Sequence, residues 1–291
     1  MAKRAKNPWP SRRRSAIQLA EKLVTTANSL PVDLNRIATH RAVQRIEFAP
    51  LLTDGGLAVR NDGFTIFVRC DVGQGADLTS RFAEDGTGST LPEMILRRAR
   101  FTIAHEIAHT LFYDIRSRPP RPKTQVDDRD STTKLELACN QIAGLLVMPE
   151  ALMQRTFARF EFVRPEEFRK LADAAMVSSQ TVVRRFQHLR RFVHPEAILA
   201  STARQDNDWM ITAISRHYSL RNIFIAAKVG ASIKALVDEP DFVLFGGEMR
   251  EAHVEYIGHG GKRMKMRFAC EVGIALRRTR SLFVVGRPVP E

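Results

Sequence analysis

The stretch 101-FTIAHEIAHTLF-112 sets two histidines four positions apart, with a glutamate directly after the first, in an otherwise apolar run. On an α-helix, residues i and i+4 share a face. His105 and His109 therefore present their rings side by side, at the spacing two imidazoles need to chelate one metal ion. Glu106 lies about 100° around the helix, where it cannot join them as a ligand but can reach a water on the metal. The remaining residues, Phe101, Ile103, Ala104, Ile107, Ala108, Leu111 and Phe112, are apolar and suit a core. The pattern is a buried helix with one reactive stripe. H-E-x-x-H alone is a weak signal. Its weight here comes from the apolar setting, from the lack of helix breakers between Phe101 and Ile115, and from a third ligand within reach.

A catalytic zinc takes three protein ligands and keeps a fourth position open for water. Asp114, five residues past His109, points about 140° away around the helix, and the next position is Ile115 rather than a histidine. Glu136 is the better candidate. It opens a helix predicted from TTKLELACNQIAGLLVMPEALM, with Asn140 one turn on along the same face and Leu137, Ile142, Leu145 and Leu146 apolar. Taken alone, such a glutamate reads as a cap or a solvated side chain. Facing the H-E-x-x-H helix, it completes a His-His-Glu site of gluzincin type.

The chain has 291 residues, 44% of them hydrophobic, enough to bury a core in two or three small units. No run of 18 apolar residues offers a membrane span, and the N-terminus lacks a secretory h-region, so a cytoplasmic protein is expected. Cys70, Cys139 and Cys270 form no C-x-x-C pair, which excludes a structural four-cysteine zinc knuckle. The net charge is +13, and the first fourteen residues hold six Lys/Arg and no acid. That balance favours contact with nucleic acid or another acidic surface.

Residues 15–40 are expected to give a helix (AIQLAEKLVTTA), a break at Leu30-Pro31 and a short helix from Asp33, with strands at 45–52, 57–60 and 64–70. Asn61-Asp62-Gly63 is a hairpin turn. Residues 71–90 are rich in Gly and Asp and read as loop, a long helix runs from Pro92 to Ile115, and 116–131 reads as a mobile surface loop. Beyond His194 short alternating segments dominate. The expected domains are a basic arm (1–14), a metallopeptidase domain (15–160), a helix-turn-helix-like segment (161–194) and a C-terminal strand-rich α+β domain (195–291).

Two motifs, RRARFTIAHEIAH at 97–109 and ELACNQIAGLLVMP at 136–149, with LPVDLNRIA at 30–38, resemble the ImmA/IrrE family of metallo-endopeptidases over residues 15–155. The resemblance implies an α+β fold: a zincin-like, mainly helical metallopeptidase domain with a small β-sheet, followed by a GAF-like sensor domain. It makes His105, His109 and Glu136 ligands of Zn2+ (or another divalent ion such as Mn2+) and Glu106 the general base. It also implies a substrate, a helix-turn-helix (XRE-type) repressor whose cleavage derepresses stress-response, DNA-damage or mobile-element genes. Single-stranded or non-specific DNA is the candidate activator. The departures from the family pattern are Ala108 for glycine, Cys139 for alanine and Ile142-Ala143-Gly144 for F-A-A. None touches a ligand.

The segment LADAAMVSSQTVVRRFQHL (171–189) has the outline of a helix-turn-helix, with Ser178 as cap and Arg184 and Arg185 along the second helix. Met176 stands where a turn glycine is usual, which disfavours a positive φ there. Tyr113 is a weak candidate for stabilising the oxyanion, the strands at 57–70 offer an edge for an extended substrate, and His253 and His259 read as surface residues. The competing function is a DNA-binding transcriptional regulator with a structural or inactive zinc site.

Overall fold

The computed structural model describes residues 9–87, 89–123, 129–157, 164–186, 188, 198–205, 208–216, 224–225, 249–257, 263–276 and 281–288. The chain divides into two compact units, residues 1–152 with 175–177, and residues 153–174 with 178–291. The architecture is α+β, as expected.

In the first unit, α1 (Trp9–Val24) begins inside the stretch read as a basic arm, and its Ala16, Ala20 and Val24 form a buried seam at i, i+4 spacing. Helix α2 (Leu34–His40) is capped by Asp33, whose carboxylate accepts the Arg36 N–H at 3.1 Å. Three strands follow, β1 (Val43–Ala49), β2 (Gly55–Arg60) and β3 (Gly63–Arg69). Their order is β1-β3-β2, with β3 parallel to β1 and antiparallel to β2. Phe64, Ile66 and Val68 alternate onto one buried face. Each such side chain contributes about 1.5–3 kcal/mol on full burial.

Residues 75–85 are helical rather than loop. Helix α3 (Gly75–Asp85) buries Leu78 and Phe82, one turn apart, and Phe82 packs on Phe48 with ring centroids 6.3 Å apart. Gly86 ends it at φ 64, donating its N–H to the Phe82 carbonyl. That conformation costs glycine least.

Helix α4 (Glu93–Thr110) carries the opening motif and stops five residues short of Ile115. The buried Arg41 guanidinium donates to the Thr110 carbonyl at 2.6 Å, while Leu111 and Phe112 N–H groups close onto Ala108 and His109 carbonyls. The freed carbonyls of the last turn are satisfied without further helix. A two-stranded ribbon, β4 (Tyr113–Asp114) with β5 (Arg121–Pro122), leads away, and residues 124–128 of the segment read as a mobile loop lie outside the described residues. Helix α5 (Arg129–Val147) packs along α4 and ends at Met148-Pro149, and α6 (Glu150–Thr156) follows.

Near the start of α4, two arginines hold the turn at residues 175–177. Arg100 is completely buried and donates to the carbonyls of Val32 (3.0 Å), Ala175 (3.3 Å) and Thr87. Arg97 donates to Val177 O at 2.8 Å. Met176 adopts φ 52. The left-handed turn is therefore kept although a methionine replaces the usual glycine, and the bonds to either side of it offset the strain.

In the second unit, α7 (Pro165–Ala175) and α8 (Ser179–Phe186) stack Phe168 on Phe186 with ring centroids 5.7 Å apart. Ser178 Oγ accepts the Thr181 N–H at 3.2 Å, capping α8. Six strands follow, β6 (Ile198–Gln205), β7 (Asp208–Arg216), β8 (Phe224–Ile225), β9 (Met249–Ile257), β10 (Arg263–Leu276) and β11 (Ser281–Pro288). They form one antiparallel sheet in the order β7-β6-β11-β10-β9-β8, and α8 packs on β6 and β7. The backbone of His253 lies in β9, while His259 lies outside the described residues.

Candidate metal centre

His105 and His109 project from the last two turns of α4 with ring centroids 4.8 Å apart and planes at 70°. Their Nε2 atoms are 3.1 Å apart. Glu136, from α5, brings Oε2 to 3.1 Å from His105 Nε2 and Oε1 to 3.4 Å from His109 Nε2. The three side chains named from the sequence thus converge. A tetrahedral ion with ligands about 2.0–2.1 Å away needs donor atoms about 3.3 Å from one another. The observed separations match the edges of that figure, so the residues present fit a zinc-like ion.

The protonation pattern suits the same purpose. His105 Nδ1 lies 3.0 Å from Asn140 Oδ1. An amide oxygen only accepts, so Nδ1 carries the proton and the Nε2 lone pair turns toward the cluster. His109 is pulled down to about 4 by burial and by the neighbouring His105 ring, against the opposing charge of Glu136. It is neutral at physiological pH, the form that ligates. Glu136 is 47% exposed while the two histidines are 16% and 17% exposed. The carboxylate is therefore the member of the cluster most open to solvent, and three protein ligands are the number a catalytic zinc takes.

Glu106 points elsewhere on α4 and is buried, 7% exposed. Burial, with the Glu136 charge adding, pushes its carboxyl up to about 7. It is a dry carboxylate, close enough to the cluster to sense Glu136, with a proton affinity near neutrality.

The sequence left three partners of this site without a role. Asn140 was readable as sharing a face with Glu136, and the structure adds its bond to His105. Gly55 and Thr102 belong to no motif, yet a Cβ on Gly55 would stand 2.4 Å from Thr102 Cγ2 and 3.3 Å from Glu106 Oε1. Their one signal was the Gly55-Gly56 pair at a strand start. Tyr113 sets its ring edge-on to Phe64 at 5.2 Å, and Asp114 accepts the Arg116 N–H at 3.0 Å. Neither is among the residues that converge. Ala108, Cys139, Ile142 and Ala143 are fully buried packing residues, and burial followed by the charges of Glu136 and Glu106 holds the Cys139 thiol protonated.

In the second unit, α8 buries Ser179, Thr181, Val182, Val183, Arg185 and Phe186. Arg184 is its one exposed side chain, with Gln180 partly so. A recognition helix needs a polar face to lay in a groove, and α8 has spent that face on packing.

Residues 93–187, from α4 through α8, match the IrrE N-terminal-like domain family, Peptidase_M78. That third of the chain is ImmA/IrrE-like. The match includes His105, Glu106, His109 and Glu136, so the clustered residues lie in a domain of a metallopeptidase family. No curated protein matches the chain in sequence. Among solved structures, a Mycobacterium tuberculosis transcriptional regulator superposes on 97% of this chain and 94% of its own, at 14% identity and a TM-score of 0.47. No helix among the described residues is long and apolar enough to cross a membrane.

Proposed function

We propose that this ImmA/IrrE-like chain is a zinc-dependent endopeptidase of the cytoplasm that cleaves a helix-turn-helix repressor, releasing stress-response or mobile-element genes. The observation that carries the reading is the convergence of His105 Nε2, His109 Nε2 and the Glu136 carboxylate beside a buried Glu106. A purely structural site has no use for such a base.

His105, His109 and Glu136 would hold the ion, with Asn140 fixing the His105 tautomer. Zinc, when bound, supplies a Lewis acid that acidifies water and polarises a carbonyl. Glu106 takes the proton of the attacking water on its carboxylate and returns it to the leaving amine nitrogen. A base near neutrality can do both.

Strand β2 offers the means of presenting a peptide. Asp54 O accepts the Arg69 N–H, so by alternation Gly56, Ala58 and Arg60 face β3 while Leu57 and Val59, with the Gly55 N–H, turn their backbone groups to the outer edge, where Gly55 O accepts from Thr53 Oγ. A substrate strand pairing there would run past Glu106.

The regulator reading rests on the +13 charge. The burial of α8 leaves it little surface for reading DNA, and the charge suits DNA better as an activator, bound with steep salt dependence. The deciding experiment is co-expression with the helix-turn-helix repressor encoded nearest this gene, comparing wild type with Glu106→Ala. Cleavage is expected from wild type alone, with about one zinc per chain in both proteins. Zinc retention without cleavage by wild type, together with sequence-specific duplex binding, would favour the regulator.

A further inference from the structure

The peptidase reading gives Glu106 its chemistry but not the reason β2 lies so close to it. Gly55 and Gly56 form a natural comparison. Neither has a positive φ, so the backbone tolerates alanine at both. They differ only in what a side chain would meet. A Cβ on Gly56 finds nothing within 4 Å, whereas one on Gly55 would stand 2.4 Å from Thr102 Cγ2, 2.9 Å from Phe67 O and 3.3 Å from Glu106 Oε1.

Ordinary carbon–carbon contact lies at about 3.5–4.0 Å. The methyl of an alanine at 55 would therefore need roughly 1 Å of extra room between strand and helix. Thr102 is buried in α4, which is itself packed against α5, so the helix side is the stiffer one. Among the described residues β2 pairs with β3 alone, and as the outer strand it is the part that would yield. Thr53 Oγ donates to Gly55 O at 3.0 Å and Asp54 pairs with Arg98 of α4. The second contact ties the start of β2 to the helix at this point, while the first is local to the strand.

From this geometry we infer that Gly55 is a positioning residue for the peptidase reaction: by lacking a side chain it sets the gap between the substrate-pairing edge of β2 and the Glu106 carboxylate. The inference rests on the peptidase reading for its consequence, though not for the contact itself. A peptide held on β2 keeps its distance from the base only while the strand lies directly on Thr102. A displacement of about 1 Å costs on the order of a hundredfold in rate when reacting groups are held rigidly. The loss belongs in kcat, since the pairing edge survives.

The test uses the full chain in four forms, Gly55→Ala, Gly56→Ala, Thr102→Ser and the Gly55→Ala/Thr102→Ser double variant. Serine at 102 deletes the one methyl that alanine at 55 would strike. In the metal-free protein, Gly55→Ala should lower the thermal midpoint by about 4 °C, and Thr102→Ser should recover part of that loss in the Gly55→Ala background while recovering nothing alone. With zinc loaded and the nearest-encoded repressor as substrate, Gly55→Ala should lose about a hundredfold in kcat with KM within about threefold and zinc content unchanged. The double variant should regain about tenfold, and Gly56→Ala should match wild type.

Absence of coupling between positions 55 and 102 would overturn the contact. Coupling with an unchanged kcat in Gly55→Ala would overturn the positioning role, as would a loss of kcat matched by loss of zinc. A zinc-loaded wild type that cleaves nothing would sink the peptidase reading instead, and the placement of β2 would then stand or fall on the coupling alone.

Discussion

Asn140 Oδ1 lies 3.0 Å from Nδ1 of His105, and Asn140 follows Glu136 by one turn on the same face of α5. One helix thus supplies both the carboxylate facing the two histidines and the group that fixes the proton on one of them. Removing the amide leaves His105 free to rotate and to place its proton on either nitrogen. Asn140→Ala is expected to weaken zinc affinity about 10–100-fold while the fold persists, as competition with a chromogenic chelator would show. Unchanged affinity would mean that α4 packing alone orients the ring.

Glu106 gives the metal-free protein a characteristic pH dependence. Its folded value, about 7, stands above the ordinary 4.5, so the protonated form is the one the fold favours. The stability it contributes is complete below pH 4.5 and is lost as pH rises through 7. The full span is about 3 kcal/mol. Glu106→Gln stays neutral throughout, so at pH 8 the metal-free variant should be the more stable by up to about 3 kcal/mol, and at pH 4 the two should coincide. Urea titrations at the two pH values decide it, and equal stabilities at pH 8 would show that Glu106 ionises there without cost.

Metal linkage offers a check independent of catalysis. An ion that binds only the folded chain stabilises it by about 2.7 kcal/mol at a hundred times its Kd. Zinc should therefore raise the thermal midpoint of wild type, and a chelator should reverse the rise. His109→Ala, which breaks the 3.1 Å pair, should respond to neither.

Arg100 is the residue whose loss the first unit should tolerate least. Its guanidinium, with no exposed surface, serves carbonyls of Val32, Thr87 and Ala175. Each buried acceptor left without a donor costs about 1–3 kcal/mol. Arg100→Ala should lose at least about 3 kcal/mol, read as a lower urea midpoint, and Arg100→Lys should recover only a fraction because an ammonium lacks the planar fork. A variant as stable as wild type would mean that water replaces the guanidinium.

The clustering of His105, His109 and Glu136 was largely legible because helical periodicity is local. The four-residue spacing of His105 and His109, and of Glu136 and Asn140, puts each pair on one face whatever surrounds it. What pairs across the chain was not. Nothing in Val43–Ala49 announces a parallel partner in Gly63–Arg69, and nothing in Thr110 foretells that Arg41 will take its carbonyl and end α4 early. Composition misled at residues 75–85, where Gly and Asp outweighed the Leu78–Phe82 pair that makes α3 a helix. At Met176 the residue type argued against a positive φ, but Arg97 and Arg100 hold the carbonyls on either side and the turn forms regardless. The closeness of Gly55 to Glu106 is a matter of packing distance, which no spacing rule encodes.

All three converging side chains come from α4 and α5, and none from the connection at residues 111–128. A chain severed in that connection would become two polypeptides, one bearing the imidazoles and the other the carboxylate. The buried packing of α4 on α5 would hold them together, and an ion bound at the cluster would add a clasp between them.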